Sequence, residues 1–198
     1  MCRNIPKLLT APAEAIAAAR KRASYGDALG TLIVDGIIAA IAAAIFVTQL
    51  GGMAGLGAML GQGLGIAVVT VFIAVFIGGL FFGLLTKLVV NTLGGKGDYV
   101  EGLTTIAYCM AAPAVALLVT AIFFLVPTLG LLIGFFALSL GLSLGFATLY
   151  RSVKELFATD MVTALVAVGI LTMIVVTTFA FLMPMLGLSG LPGLTTLA

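Results

Sequence analysis

The sequence contains no histidine and no tryptophan, only two cysteines, and charge on just 8% of its 198 residues. Without histidine, the commonest metal ligand, the usual general base and the ordinary pH switch are missing together. Cys2 sits in the N-terminal tail and Cys109 deep in an apolar run, too few and too far apart for a disulfide framework or a metal site. No nucleophile and base pair can be assembled from what remains, so an enzyme, even one acting on lipid, ranks last among the function classes. Nine Lys and Arg against seven Asp and Glu leave a net charge of +2 with no basic patch interleaved with aromatics, which argues against nucleic acid as a partner. No cofactor is expected.

What is abundant is apolar surface. With 63% hydrophobic residues and a mean hydropathy of +1.34, the chain has too little polar surface to cover a water-soluble globule. Crossing about 30 Å of hydrocarbon at about 1.5 Å per residue takes about 20 residues. Leu29 to Leu50, Leu64 to Val90 and Met161 to Met183 each meet that length, and the first is too long for the core of a signal peptide, so it reads as a retained helix. Leu103 to Tyr150 is long enough for two spans and must double back. Val126-Pro127-Thr128-Leu129-Gly130 is the place, because proline removes a backbone donor and disfavours helix in the residue before it. The expected fold is therefore all-α: a polytopic bundle of five transmembrane helices over 29–50, 64–90, 103–126, 129–150 and 161–183. Residues 28–198 form the membrane domain, and 1–27 a tail with a short interfacial helix in which Pro12 suits the first turn.

Caps agree with this division. Ser24 with Asp27, Asp98 with Glu101, and Thr159-Asp160 mark the starts of the first, third and fifth spans. All nine basic residues lie on one side: Arg3, Lys7, Arg20, Lys21 and Arg22 in the tail, Lys87 and Lys96 between spans two and three, Arg151 and Lys154 between four and five. The other side, comprising Gly51 to Gly63, the Pro127 turn and the tail after Met183, carries no charge. The positive-inside rule places the N-terminus in the cytoplasm and the C-terminus outside. The Gly-rich segment from Gly51 to Gly63, with Gln62, belongs at the outer interface.

Asp35 alone is charged well inside a span, about six residues beyond its start at Leu29. An intramembrane carboxylate is a functional candidate by default. Pairing with Lys87, or wetting from the inner interface, accounts for it better, because no further ionisable residues continue a path across the bilayer. Small residues four apart, Gly79 and Gly83, Gly130 and Gly134, Gly141 and Gly145, and Ala39 and Ala43, predict closely packed helices. Ser139 and Ser143 share a face and suit interhelical hydrogen bonds. Pro113 inside the third span predicts a kink and a freed carbonyl. Gly94-Gly95-Lys96-Gly97-Asp98 lacks the Gly-Lys-Ser/Thr spacing and the preceding strand of a phosphate loop, so it reads as a flexible turn before a capped helix.

Several of these stretches, taken in order, resemble the Yip family, the Ypt/Rab-interacting membrane proteins. They are Leu8-Leu9-Thr10-Ala11-Pro12 ahead of a short helix, Leu93-Gly94-Gly95-Lys96-Gly97-Asp98-Tyr99 before the third span, and Ile106-Ala107-Tyr108 followed by Pro113 within it. The resemblance implies a cytoplasmic N-terminus, five clustered spans and a trafficking-type role, with small GTPases or other membrane proteins as partners and a homo- or hetero-oligomeric state. It adds Lys96, Asp98, Tyr108 and Pro113 to Asp35 and Lys87 as candidate functional residues. Eukaryotic relatives carry an Asp-Leu-Tyr-Gly-Pro-like motif where this sequence has Ser24-Tyr25-Gly26-Asp27, and the short N-terminus is similar to that of prokaryotic relatives. The implied address is the cell membrane in a prokaryote and the Golgi or endoplasmic reticulum membrane in a eukaryote. The leading reading is a non-enzymatic protein that organises membrane or partner proteins through its charged side; the alternative is a small transporter or channel component using Asp35.

Overall fold

A computed structural model describes residues 11–21, 23–53, 57–124 and 126–185. They form six helices and no strand: α1 (Pro12–Lys21), α2 (Tyr25–Met53), α3 (Gly57–Thr92), α4 (Tyr99–Phe123), α5 (Pro127–Leu156) and α6 (Met161–Met185). Five of them, α2 to α6, are long and apolar enough to cross a membrane. The division between spans three and four falls at the expected place, with Val126 extended as N-cap of α5 and Pro127 in its first turn. The motif residues Leu8, Leu9 and Thr10, residues 54–56 of the Gly-rich segment and the tail after Met185 lie outside the described residues, as does the side chain of Gln62. The flanks of that segment, 51–53 and 57–63, are helical.

The caps read from the sequence are made. Ser24 Oγ accepts from the Asp27 backbone N–H at 3.2 Å, Glu101 Oε2 accepts from Asp98 N–H at 2.9 Å, and Asp160 Oδ2 accepts from Val162 and Thr163 N–H at 3.0 and 3.1 Å. Each closes donors that the first helical turn leaves open. The hydrogen bonds from Thr163 and then Val162 hold the exposed Asp160 carboxyl below the usual carboxylate range. A depressed folded-state value means that its contribution to stability is present above the unfolded value of about pH 4 and lost as pH falls through the lower folded one. Asp160→Asn is expected to lower Tm slightly at neutral pH and to flatten the dependence of Tm on pH below about 4, which thermal unfolding in detergent from pH 3 to 7 will measure.

α4 is the central helix, packed against α2, α3 and α5, while α6 packs more lightly, chiefly on α5 and α3. α2 and α4 run parallel. Tyr25 and Tyr99 meet at one end, tilted by 42° with ring centroids 6.2 Å apart; at the other, Phe46 meets Phe124 edge-on at 5.7 Å and Gln49 Nε2 donates to the Ala121 carbonyl at 3.0 Å. The three glycine pairs make close helix contacts as expected. A Cβ added at Gly79 would meet Leu32 at 2.6 Å, one at Gly134 would meet Thr120 Cγ2 at 2.8 Å, and one at Gly145 would meet Pro113 Cγ at 2.9 Å. α4 continues through Pro113, and Gly145 of α5 covers the Cys109 carbonyl that the proline leaves without its helical donor. Ser139 and Ser143 correct the sequence reading: both are exposed, and Ser143 Oγ donates to the Ser139 carbonyl of its own helix at 2.8 Å. Their face of α5 is the outward one, so a polar pair at helical spacing marks no interhelical bond here.

Candidate functional site

The charged residues gather at one end of the bundle, and the fold makes that end a built surface. Three segments meet there: α1, the α3–α4 connection and the α5–α6 connection. Lys96 N–H donates to the Phe157 carbonyl at 3.0 Å, tying the two connections together. Asn91 brackets Gly97, its Nδ2 donating to the Gly97 carbonyl at 2.9 Å and its Oδ1 accepting from the Gly97 N–H at 3.3 Å. Gly94 turns the chain at φ +95°, a left-handed conformation open to glycine at little cost. The glycines of the Leu93-to-Tyr99 motif thus serve the turn and its seat: Gly97 lies against the Phe157 ring, where no side chain would fit.

Phe157 is fully buried and belongs to one apolar cluster with Ala15 and Ile16 of α1, Val90 of α3, Leu103 and Ala107 of α4 and Val153 of α5. Ala15, Ile16 and Ala19 of α1 therefore face protein, with Ile16 completely covered, while Ala17 and Ala18 are exposed. Sequence reasoning missed Phe157; the available signal was an aromatic residue standing in an otherwise charged connection between Lys154 and Asp160. Outside this cluster the end is polar, with Glu14, Arg20, Lys96, Asp98, Arg151, Lys154 and Asp160 exposed. Arg151 Nε and Glu155 Oε1 form the one ion pair among the described residues, at 2.7 Å on the surface of α5.

A cavity of about 180 Å³ opens between α1, the start of α2 and α4, bordered by Ala19, Ser24, Asp27, Thr104 and Tyr108. Tyr108 is buried there at 3% exposure. Of the motif residues, Lys96 and Asp98 stand on the surface of the charged end, Tyr108 lines the cavity beneath it, and Pro113 packs deeper against α5.

Asp35 is separate from this surface, and its sequence reading needs correction. It forms no ion pair with Lys87, and it is not wetted, being 1% exposed with Oδ2 lacking any hydrogen-bond partner. The reason is register. α2 begins at Tyr25, not at the first apolar residue Leu29, so Asp35 lies ten residues, or about 15 Å, inside the helix. Lys87 meets α4 at Gly102, whereas the α2–α4 pairing sets Asp35 level with Cys109, seven residues further along. The α2–α3 contacts of Leu32 with Gly79 and of Gly36 with Phe72 set Asp35 level with about residue 75 of α3, about 18 Å from Lys87 and beyond a lysine's reach. No group of three or more potential metal ligands occurs among the described residues.

A bundle of five helices long and apolar enough to cross a membrane, with all the charge of its described residues but Asp35 at one end, is an integral membrane protein. The Yip1 domain model matches residues 7–190, and the chain belongs to the Yip family. No curated protein and no solved structure matches it.

Proposed function

We propose that this Yip-family chain is a non-enzymatic organiser of membrane proteins, with its N-terminus and charged end in the cytoplasm serving as a docking face. One observation carries the reading: the family motif around Lys96 is hydrogen-bonded to the α5–α6 connection, making one surface on which Lys96 and Lys154 are exposed and unencumbered by ion pairs among the described residues. Rigid presentation of charge favours partner selection and association rate over raw affinity. Small GTPases, the partners implied by the family, and other membrane proteins are the classes this face would take. The membrane is the cell membrane if the source is prokaryotic and that of the Golgi or endoplasmic reticulum otherwise.

Photocrosslinking from Lys96 and Lys154 positions in native membranes tests the proposal. The expected result is capture of a small set of proteins that falls at least about tenfold, or about 1.4 kcal/mol, when both lysines are reversed to glutamate. An unchanged capture profile in the double variant, with its thermal unfolding intact, sinks the docking face.

A further inference from the structure

The seam between α2 and α4 contains polar atoms that the docking surface does not use. Asp35 Oδ2 on α2 and Thr105 Oγ1 on α4 are both buried and both lack hydrogen-bond partners, with Thr105 0% exposed. Cys109, one turn beyond Thr105, stands level with Asp35 in the α2–α4 pairing. An ionised carboxylate taken out of water needs a counter-charge or several donors, and otherwise neutralises. None is supplied. α3, which packs on both α2 and α4, has Lys87 as its one ionisable residue, about 18 Å away along the axis. From α4 the groups facing this level are the thiol of Cys109 and the phenol of Tyr108, and the nearest acid on α2 itself is Asp27, two turns toward the charged end.

We propose that Asp35 is a proton-binding site, its carboxyl neutral and sealed between α2 and α4 in the assembled bundle. A metal cation is a poor alternative occupant, since it would need several oxygens around it. Around Asp35, Thr105 Oγ1 is the one other side-chain oxygen of the seam that stands buried and unpartnered among the described residues, too few for a cation's shell. Nor is the site part of a relay. From Asp35 to the uncharged end, no other Asp, Glu, Lys or Arg occurs in any span. The proton is held, and its exchange requires α2 and α4 to part. This inference stands independently of the docking face.

Infrared spectroscopy of the full chain in lipid vesicles at neutral pH tests it. The expected result is a carboxylic-acid C=O stretch in the wild type that moves when aspartate carboxyl carbons are labelled with carbon-13, and that is missing from Asp35→Asn. Asn is the closest neutral substitute, so that variant should keep its Tm. If it fails to fold, the isotope shift in wild-type protein decides alone. A carboxylate band in place of the acid band overturns the proposal, and so does loss of the acid band on adding sodium or potassium, which would make the site a cation site.

Discussion

Gly102→Val will force α3 and α4 apart and remove most of the monodisperse protein recovered in detergent. A Cβ at Gly102 would run into the carbonyl oxygen of Gly83 and approach the Lys87 backbone nitrogen at 3.3 Å. On the facing helix, a Cβ at Gly83 would meet the Leu103 Cα at 3.0 Å. Both obstacles are backbone, so no rotamer change relieves them. Overpacking commonly costs about 1–3 kcal/mol, and a clash that side chains cannot absorb belongs at the upper end of that range or beyond it. Membrane helices depend on such close approach because lipid provides no hydrophobic drive for their association. Gly78→Ala is the control: the position has nothing within 4 Å, and alanine raises helix propensity, so its elution profile and Tm should match or exceed those of the wild type. A Gly102→Val protein with wild-type Tm would show that α3 and α4 do not pack as described.

Phe157→Ala should produce the second largest effect, a loss of about 3–5 kcal/mol of stability, the usual cost of removing a buried aromatic ring. The ring is fully buried and is the shared floor of α1 and the α3–α4 connection. Its removal leaves Ile16 and Gly97 without their common neighbour, so α1 will detach before the spans separate. Limited trypsin digestion should therefore cleave after Arg20 much faster in Phe157→Ala, while Phe157→Leu should be intermediate. Equal cleavage rates in wild type and Phe157→Ala would mean that the ring does not hold α1. Because the main-chain bond from Lys96 to residue 157 does not need the ring, the two connections should stay joined.

The spans were legible because length alone constrains a helix that must cross lipid, and the turn at Pro127 because proline acts locally. Ser24, Glu101 and Asp160 were legible for the same reason: a cap is a matter of three or four consecutive residues. Asp35 was found but misplaced. Its position along α2 depends on where the helix starts, and its neighbours depend on how α2 slides against α4, which no local pattern encodes. Ser139 and Ser143 failed likewise, since periodicity places two hydroxyls on one face without saying what that face meets. For the candidate site, the sequence located the charge but not its organisation. Phe157 and Asn91, which fix the connections to each other and to the bundle, drew no notice because neither carries charge.

The central position of α4 also sets an order of events during synthesis. A chain made from its N-terminus delivers α2 and α3 to the bilayer before the helix that covers them both. Until α4 arrives, Asp35 and Gly83 have no final partner surface, so the half-made protein is a polar, gapped pair of helices in lipid. The third span is thus the commitment point of assembly, and a chain truncated before Tyr99 is a substrate for quality control, not a smaller version of the protein.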